Sequence, residues 1–272
     1  MRALLVVAAL VAAPVAAQRA GEDVVTAAED AFGTSLGRES FGIYSAGSVR
    51  GFSPTRAGNN RILGLAFDQQ SGPTRRVVAG TTIHVGLSAV GYPFPAPTGI
   101  VDNRLRLPGD TARVTVAGGL QDNFGFFIEG ETELPLRRSL GLAIAAGVFR
   151  DRFANGTGGV VPALGLVARW TPAPGIEVIP FWGRADAFDD PTGPLYRTRD
   201  GAPPRRIARR NFQGPDWARY NGPNTNTGLI TRADLGADWR LEAGLFRSGV
   251  LARTSYSNLI LDIDSAGEGL RV

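Results

Sequence analysis

The chain contains no cysteine, which removes disulfides, thiolate metal sites and cysteine nucleophiles together. Lysine is also missing, so all 29 basic residues are arginine and no phosphate-cradling loop with a lysine exists. There is one histidine, His84. It leaves no histidine pair for zinc, and a lone histidine in a strand is more often a locally bonded polar residue than a ligand or base. No nucleophile elbow of the G-x-S-x-G type occurs. The acid pairs Asp189-Asp190 and Asp262/Asp264 are the only carboxylate groupings of interest, and adjacent loop acids are ordinarily solvated. These absences do not support an enzyme. Long apolar runs are scarce too: beyond residue 13 none could span a bilayer as a helix.

What is abundant is glycine and proline, 36 and 18 of 272 residues, a balance that favours turns, kinks and strands over long helices. The net charge of +4 is too small to argue for nucleic acid, with acids interspersed among the arginines. At the N-terminus Arg2 precedes an apolar run, residues 3–13, and Val15-Ala16-Ala17 offers the small residues a signal peptidase reads. Residues 1–17 are therefore expected to be a cleaved signal peptide and the chain to be exported.

Residues 47–70, GSVRGFSPTRAGNNRILGLAFDQQ, read as two strands around a turn. One strand breaks at Gly51, and the other runs from Arg61 to an acid, Asp68, with Pro54, Gly58, Asn59 and Asn60 supplying turn chemistry between them. With Arg50, Gly51, Asn60, Arg61 and Asp68 in that order, the block resembles the plug domain of TonB-dependent outer-membrane receptors. Upstream, Asp23, Val24, Val25, Thr26 and Ala27 look like a TonB box, an extended segment whose β-branched residues suit strand addition to a periplasmic energising protein. A disordered leader without function would read the same way. Downstream, residues 75–90 alternate, with Thr81, Ile83, Val85 and Leu87 on one face, and a proline-rich turn at 92–99 leads to a further alternating strand at 100–107. The resemblance covers residues 27–107.

Beyond Asp110 the texture is that of successive alternating strands. Glu129, Glu131 and Glu133 share one parity against Phe124, Phe126, Ile128 and Leu134. Leu140, Leu142, Ile144, Ala146 and Val148 oppose Gly141, Ala143, Ala145 and Gly147, small residues that leave room in a lumen. Further runs carry Leu164, Leu166 and Trp170, then residues 176–187, then Leu229 to Trp239, then Leu241 and Leu245. Trp170, Trp182 and Trp239 fall where an aromatic girdle would place them, although a sandwich core could also use them. Short connections near 134–139, 171–175 and 238–240 alternate with long ones at 150–159 and 189–228, which is the periplasmic-turn, extracellular-loop asymmetry of an outer-membrane barrel.

Two further site assignments follow, the first implied by the resemblance and the second read from the loop residues. Plug arginines of the family pair with barrel glutamates, so Arg50 and Arg61 are expected to meet Glu129, Glu131 and Glu133. The loop at 189–228 carries Arg197, Arg199, Arg205, Arg206, Arg209, Arg210 and Arg219, with Tyr196, Phe212, Trp217 and Tyr220 among them. Planar donors and stacking surfaces of that kind suit an anionic ligand such as a ferric chelate, although contact with lipopolysaccharide phosphates or a merely solvated loop is the reading the composition favours. The expected fold is mainly β. A signal peptide (1–17) and a flexible segment with the box (18–30) come first, then a small mixed α+β plug (31–109) and about seven strands of an antiparallel transmembrane β-barrel (110–272). Family barrels have about 22 strands, so the chain reads as an N-terminal portion of a receptor, a complete barrel of about eight strands being the alternative. The expected function is TonB-energised uptake of a scarce ligand, a ferric siderophore first, at the outer membrane of a Gram-negative bacterium. Its partners would be the energising protein, outer-membrane lipid and the ligand, with no cofactor, metal or nucleic acid. A secreted β-rich adhesin is the competing class and an exported hydrolase a distant third.

Overall fold

The structure, a computed structural model, describes residues 25–30, 33–38, 40–41, 43–90, 92, 96, 98–153, 156–191, 219–236 and 239–250, with short paired strands at 253–254, 262–263 and 270–271. The expected signal peptide, with Asp23 and Val24 of the box, lies outside the described residues. So do the loop residues Arg197, Arg199, Arg205, Arg206, Arg209, Arg210 and Trp217.

The first half forms a small mixed sheet. Its strands are β1 (Val25–Asp30), β2 (Gly33–Arg38), β6 (Asn60–Ile62), β7 (Leu65–Ala66), β8 (Val78–His84) and β9 (Ile100–Leu105), in the order β2-β1-β8-β9-β6-β7. A second sheet of three two-residue strands, β3 (Ser40–Phe41), β4 (Tyr44–Ser45) and β5 (Ser48–Val49), lies beside it. β1 runs parallel to β8 and β6 parallel to β9, while the remaining pairs are antiparallel. Tyr44, Val49, Ile83, Val85 and Val101 fill a small core between the two sheets.

Three expectations for this half are corrected below. Among the described residues of this half, helical geometry is a 3₁₀ turn at Gly86–Ala89, with Gly86 in the left-handed region. The β-branched run before it holds the strand, and four residues cannot extend as an α-helix. The strand expected through residues 61–67 is instead a tight hairpin, because Leu63 and Gly64 both take positive φ (50° and 86°) and Ile62 pairs directly with Leu65. Two consecutive positive-φ residues make the primed turn that matches strand twist. The flexible segment expected at 18–30 is in part ordered, since Val25, Thr26 and Ala27 lie in β1, paired on both sides. Leu87, expected to share the buried face of Thr81, Ile83 and Val85, is exposed in the 3₁₀ turn.

The second half is one antiparallel wall of seven strands in chain order: β10 (Arg113–Leu120), β11 (Phe126–Arg137), β12 (Leu140–Arg150), β13 (Val160–Ala173), β14 (Ile176–Pro191), β15 (Arg219–Gly236) and β16 (Trp239–Val250). Beyond it, β17 (Arg253–Thr254) pairs with the start of β15. Alternation decides its two faces. Glu129, Glu131, Glu133, Ala143, Ala145, Val167, Ile179, Phe181 and Ile230 are buried toward the small sheet. Val114, Val116, Leu164, Trp170, Leu229, Trp239 and Leu245 of the opposite parity are exposed. Trp170 and Trp239 therefore do not pack in a sandwich core. Exposure of a continuous apolar face is costly in water and natural in lipid.

β14 and β15 extend further than expected. Their ladder continues to Pro191 and Arg219, so residues 219–228 and Tyr220 are strand rather than loop. The Asn/Gly/Pro-rich stretch there reads locally as turn. Pairing across fourteen registered positions, from Ile176↔Ala233 to Pro191↔Arg219, overrides that preference.

Candidate functional site

The site the fold creates is the seam where the small sheet docks on the inner face of the wall. Its centre is apolar: Ile62, Phe67, Val77, Val78 and Leu105 from the small sheet meet Ala143, Val167, Ile179, Phe181 and Ile230 from the wall. Each buried aliphatic or aromatic side chain contributes roughly 1.5–3 kcal/mol, whereas a buried ion pair comes close to breaking even. Hydrophobic contact therefore holds the halves together, and the polar groups around it set their position. Glycines on the wall permit the approach. A Cβ on Gly165 would stand 2.4 Å from the Arg76 carbonyl oxygen, and one on Gly183 would stand 2.8 Å from Val77 Cγ1.

Glu129, Glu131 and Glu133 follow one another along the inner face of β11, all buried. Arg76 pairs with Glu129. Arg106 Nη1 donates to Glu131 Oε2 at 2.6 Å, and Arg106 Nε to the Arg75 carbonyl at 3.1 Å. Glu133 accepts the Gly109 N–H at 2.8 Å, with Arg113 3.5 Å away. Glu129 and Glu131 meet arginines of the first half, Arg76 and Arg106, rather than the expected Arg50 and Arg61, and Glu133 faces Arg113 of the wall's own first strand. Arg50 sits in a turn with φ 50°, its Nε donating to the Tyr44 hydroxyl at 3.1 Å and its guanidinium over that ring. Arg61 is buried inside the small sheet, donating to the carbonyls of Gly58 and Asn60 at 2.9 Å. Burial lowers the Arg61 pKa, opposed by the charge of Asp102.

The block at 47–70 is thus held by its own bonds. Asn60 donates to Thr55 Oγ1 at 3.2 Å, Gly51 supplies a second positive φ after Arg50, and Asp68 is exposed. Asp102, which sequence reasoning missed, accepts the Gly64 N–H and the Tyr92 hydroxyl, both at 3.0 Å, and so fixes the hairpin turn. His84 packs against Tyr92, the ring centroids 5.0 Å apart and the rings tilted by 46°.

On the far side of the seam the bonds are neutral. Asn224 and Asn226 both donate to the Gly72 carbonyl at 3.1 Å, and Ser248 Oγ accepts from the Gln70 and Ser71 amides at 3.1 and 3.2 Å. Nearer the short turns, Arg232 donates to the Leu63 carbonyl at 3.2 Å. Arg232 also belongs to a charged row with Arg169, Glu177, Glu242 and Arg240. That row borders an open cleft of about 570 Å³. Arg76, Arg106 and Arg232 were not singled out from sequence. The available signal was three acids on one buried face, which demand cations. Among the described residues no cluster of three or more His, Cys, Asp or Glu could hold a metal ion.

No protein-family model matches the chain, and no curated protein matches it in sequence. Among solved structures it is similar to the ferripyoverdine receptor of the outer membrane of Pseudomonas aeruginosa, with a TM-score of 0.55 and 12% identity. The superposition covers 84% of this chain and 31% of that one. The chain shares its fold with a TonB-dependent outer-membrane receptor. In this receptor fold the small sheet corresponds to the plug and the wall to part of the barrel, so the seam is a plug–barrel interface. The chain spans less than a third of the length of the receptor it matches.

Proposed function

We propose that the chain is the plug and first barrel strands of a receptor for TonB-energised uptake of a scarce ligand, a ferric siderophore first, at the outer membrane. The observation that carries this reading is the ion-paired seating of the plug on β11, Arg76 on Glu129 and Arg106 on Glu131, inside a wall whose outer face is apolar. A soluble adhesin needs neither feature. Support for the ligand class comes from the compared receptor, which is bound to ferripyoverdine, and from the arginine-rich, aromatic stretch at 192–218. Asp23 to Ala27 serve as the box in this reading. Val25, Thr26 and Ala27 then leave their places between β2 and β8 to pair with the energising protein. The family is non-enzymatic, and we assign no catalytic residue.

The test is uptake of radiolabelled ferric siderophores by iron-starved cells with the gene intact, deleted, or intact in a strain lacking the energising protein. Loss of uptake of one siderophore in both altered strains supports the reading. Uptake that persists without the energising protein refutes it. Replacing Arg197, Arg199, Arg205, Arg206, Arg209 and Arg210 by serine should weaken binding of that siderophore, and unchanged affinity would remove the loop from the site.

A further inference from the structure

Toward the short turns the inner face of the wall is left uncovered by the small sheet, and uptake of a ligand gives that region no task. Parity places Arg169, Glu177, Arg232, Asp234 and Arg240 on this face, together with the buried Val167, Ile179 and Ile230. The cleft of about 570 Å³ among them is lined, among the described residues, by the wall alone. Its volume lies within the range of small-molecule sites.

The shape of the cleft is fixed by the wall's own bonds. One side is the turn between β13 and β14, with Pro172, Pro174 and Gly175, the glycine at φ 77°. The Gly175 carbonyl accepts the Asp234 N–H at 2.8 Å, which fastens that turn to β15. A Cβ on Gly175 would stand 3.2 Å from Asp234 Cβ, so the close approach favours glycine. Opposite, Glu177 accepts Arg169 Nε at 2.6 Å and Arg232 Nη1 at 3.4 Å, tying β13, β14 and β15 together. A cleft ordered in this way has little entropy left to lose on binding.

The groups that remain uncommitted define the ligand. Arg169 is held only through Nε, so both of its terminal amino groups are without a partner among the described residues. Arg240 has only ion contacts, to Glu242 at 3.3 Å and Asp234 at 3.9 Å. The Asp234 carboxylate has no ion contact closer than that and is 67% exposed. Two guanidinium forks each match a carboxylate, and one loosely held carboxylate matches an ammonium. A simple anion would leave Asp234 unanswered, and a simple cation would meet three arginines.

We propose that the cleft binds an α-amino dicarboxylate group, its carboxylates on Arg169 and Arg240 and its ammonium on Asp234. The proposal rests on the outer-membrane reading above, which sets the compartment: the short turns of such barrels face the periplasm. There the group occurs in two forms, as the diaminopimelyl residue of cell-wall stem peptides and as a free amino acid.

The test uses the full chain expressed to the outer membrane and extracted in detergent, with folding of each variant checked by heat-modifiable migration. The probe is the tripeptide L-alanyl-γ-D-glutamyl-meso-diaminopimelate with a dye on its alanine nitrogen, read by fluorescence anisotropy. Arg240→Gln and Asp234→Asn should each weaken binding about tenfold, the loss expected for one charged hydrogen bond. Arg137→Gln removes an exposed arginine outside the cleft and should leave binding unchanged. The tripeptide with L-lysine in place of diaminopimelate lacks one carboxylate and should bind wild type about tenfold more weakly. Displacement of the probe by an equal concentration of free meso-diaminopimelate makes the free amino acid the source, and displacement by the unlabelled tripeptide alone makes it the cell wall; either supports the site. Absence of binding, equal binding by wild type, Arg240→Gln and Asp234→Asn, or an equal loss with Arg137→Gln overturns the proposal while the outer-membrane reading stands. Recovery of the chain in the soluble fraction overturns both.

Discussion

Arg106 and Glu131 make the most deeply buried ion pair of the seam, with side chains only 2% and 9% exposed and 2.6 Å between them. Replacing Arg106 by methionine keeps most of the side-chain volume but takes away the guanidinium that pairs with the buried Glu131 carboxylate. Removing one partner of such a pair costs roughly 3–5 kcal/mol, whereas replacing both by apolar residues is often neutral. Arg106→Met should therefore raise the population of undocked plug by about 10²–10³-fold or more. Arg106→Met/Glu131→Leu should bring it back to within about tenfold of the parent. The cysteine-free sequence provides the assay, since Ala143→Cys on the wall is covered by the docked plug and reacts with a thiol reagent only when the plug leaves. Labelling rates in membrane-inserted protein then report the open fraction. If the single and double variants label equally fast, the pair is not coupled and the argument for its positioning role fails.

Other expectations follow from the same geometry. Gly165→Ala should loosen the seam by about 1–3 kcal/mol, since its Cβ would stand 2.4 Å from backbone oxygen of Arg76, while Gly249→Ala, with nothing within 4 Å, should not; the Ala143→Cys labelling rate distinguishes them. Asp102→Leu should cost about 1–3 kcal/mol through the lost acceptors of Gly64 and Tyr92, and hydrogen exchange at the Leu63-Gly64 turn should report local opening before the wall is affected. Leu245→Arg is the test of a lipid-facing wall. Leu245 is 73% exposed, so in a soluble protein the change would be nearly neutral, but in a bilayer it should destabilise by about 1–4 kcal/mol, as read from folding titrations into lipid vesicles.

Much of the wall was legible in the sequence because strand alternation is a local signal with a period of two. The parity that sets Glu129, Glu131 and Glu133 against Ile128 and Leu134 is the same parity that buries the acids and turns the aliphatics outward. Leu140 to Arg150 could likewise be divided into faces before any neighbour was known, and the small residues of its inner face do receive the plug. The reading failed where local preference and long-range pairing disagree. Asn224 and Asn226 look like loop residues, yet the ladder with β14 makes them strand and turns them onto Gly72 of the plug. The Leu63-Gly64 turn was hidden because its only marker is one glycine inside an aliphatic run.

What the sequence alone determined is a cysteine-free, β-rich chain with outward apolar strands and three acids on an inner face. Each of these follows from composition or from neighbours two residues apart. Which arginines answer those acids was decided only by the tertiary structure. Arg76 reaches Glu129 across 53 residues of chain and Arg106 reaches Glu131 across 25, while Arg61 is drawn instead to the carbonyls of its own turn. Charge complementarity says that a buried carboxylate must find a cation; only the docking of one sheet on another selects the one within reach.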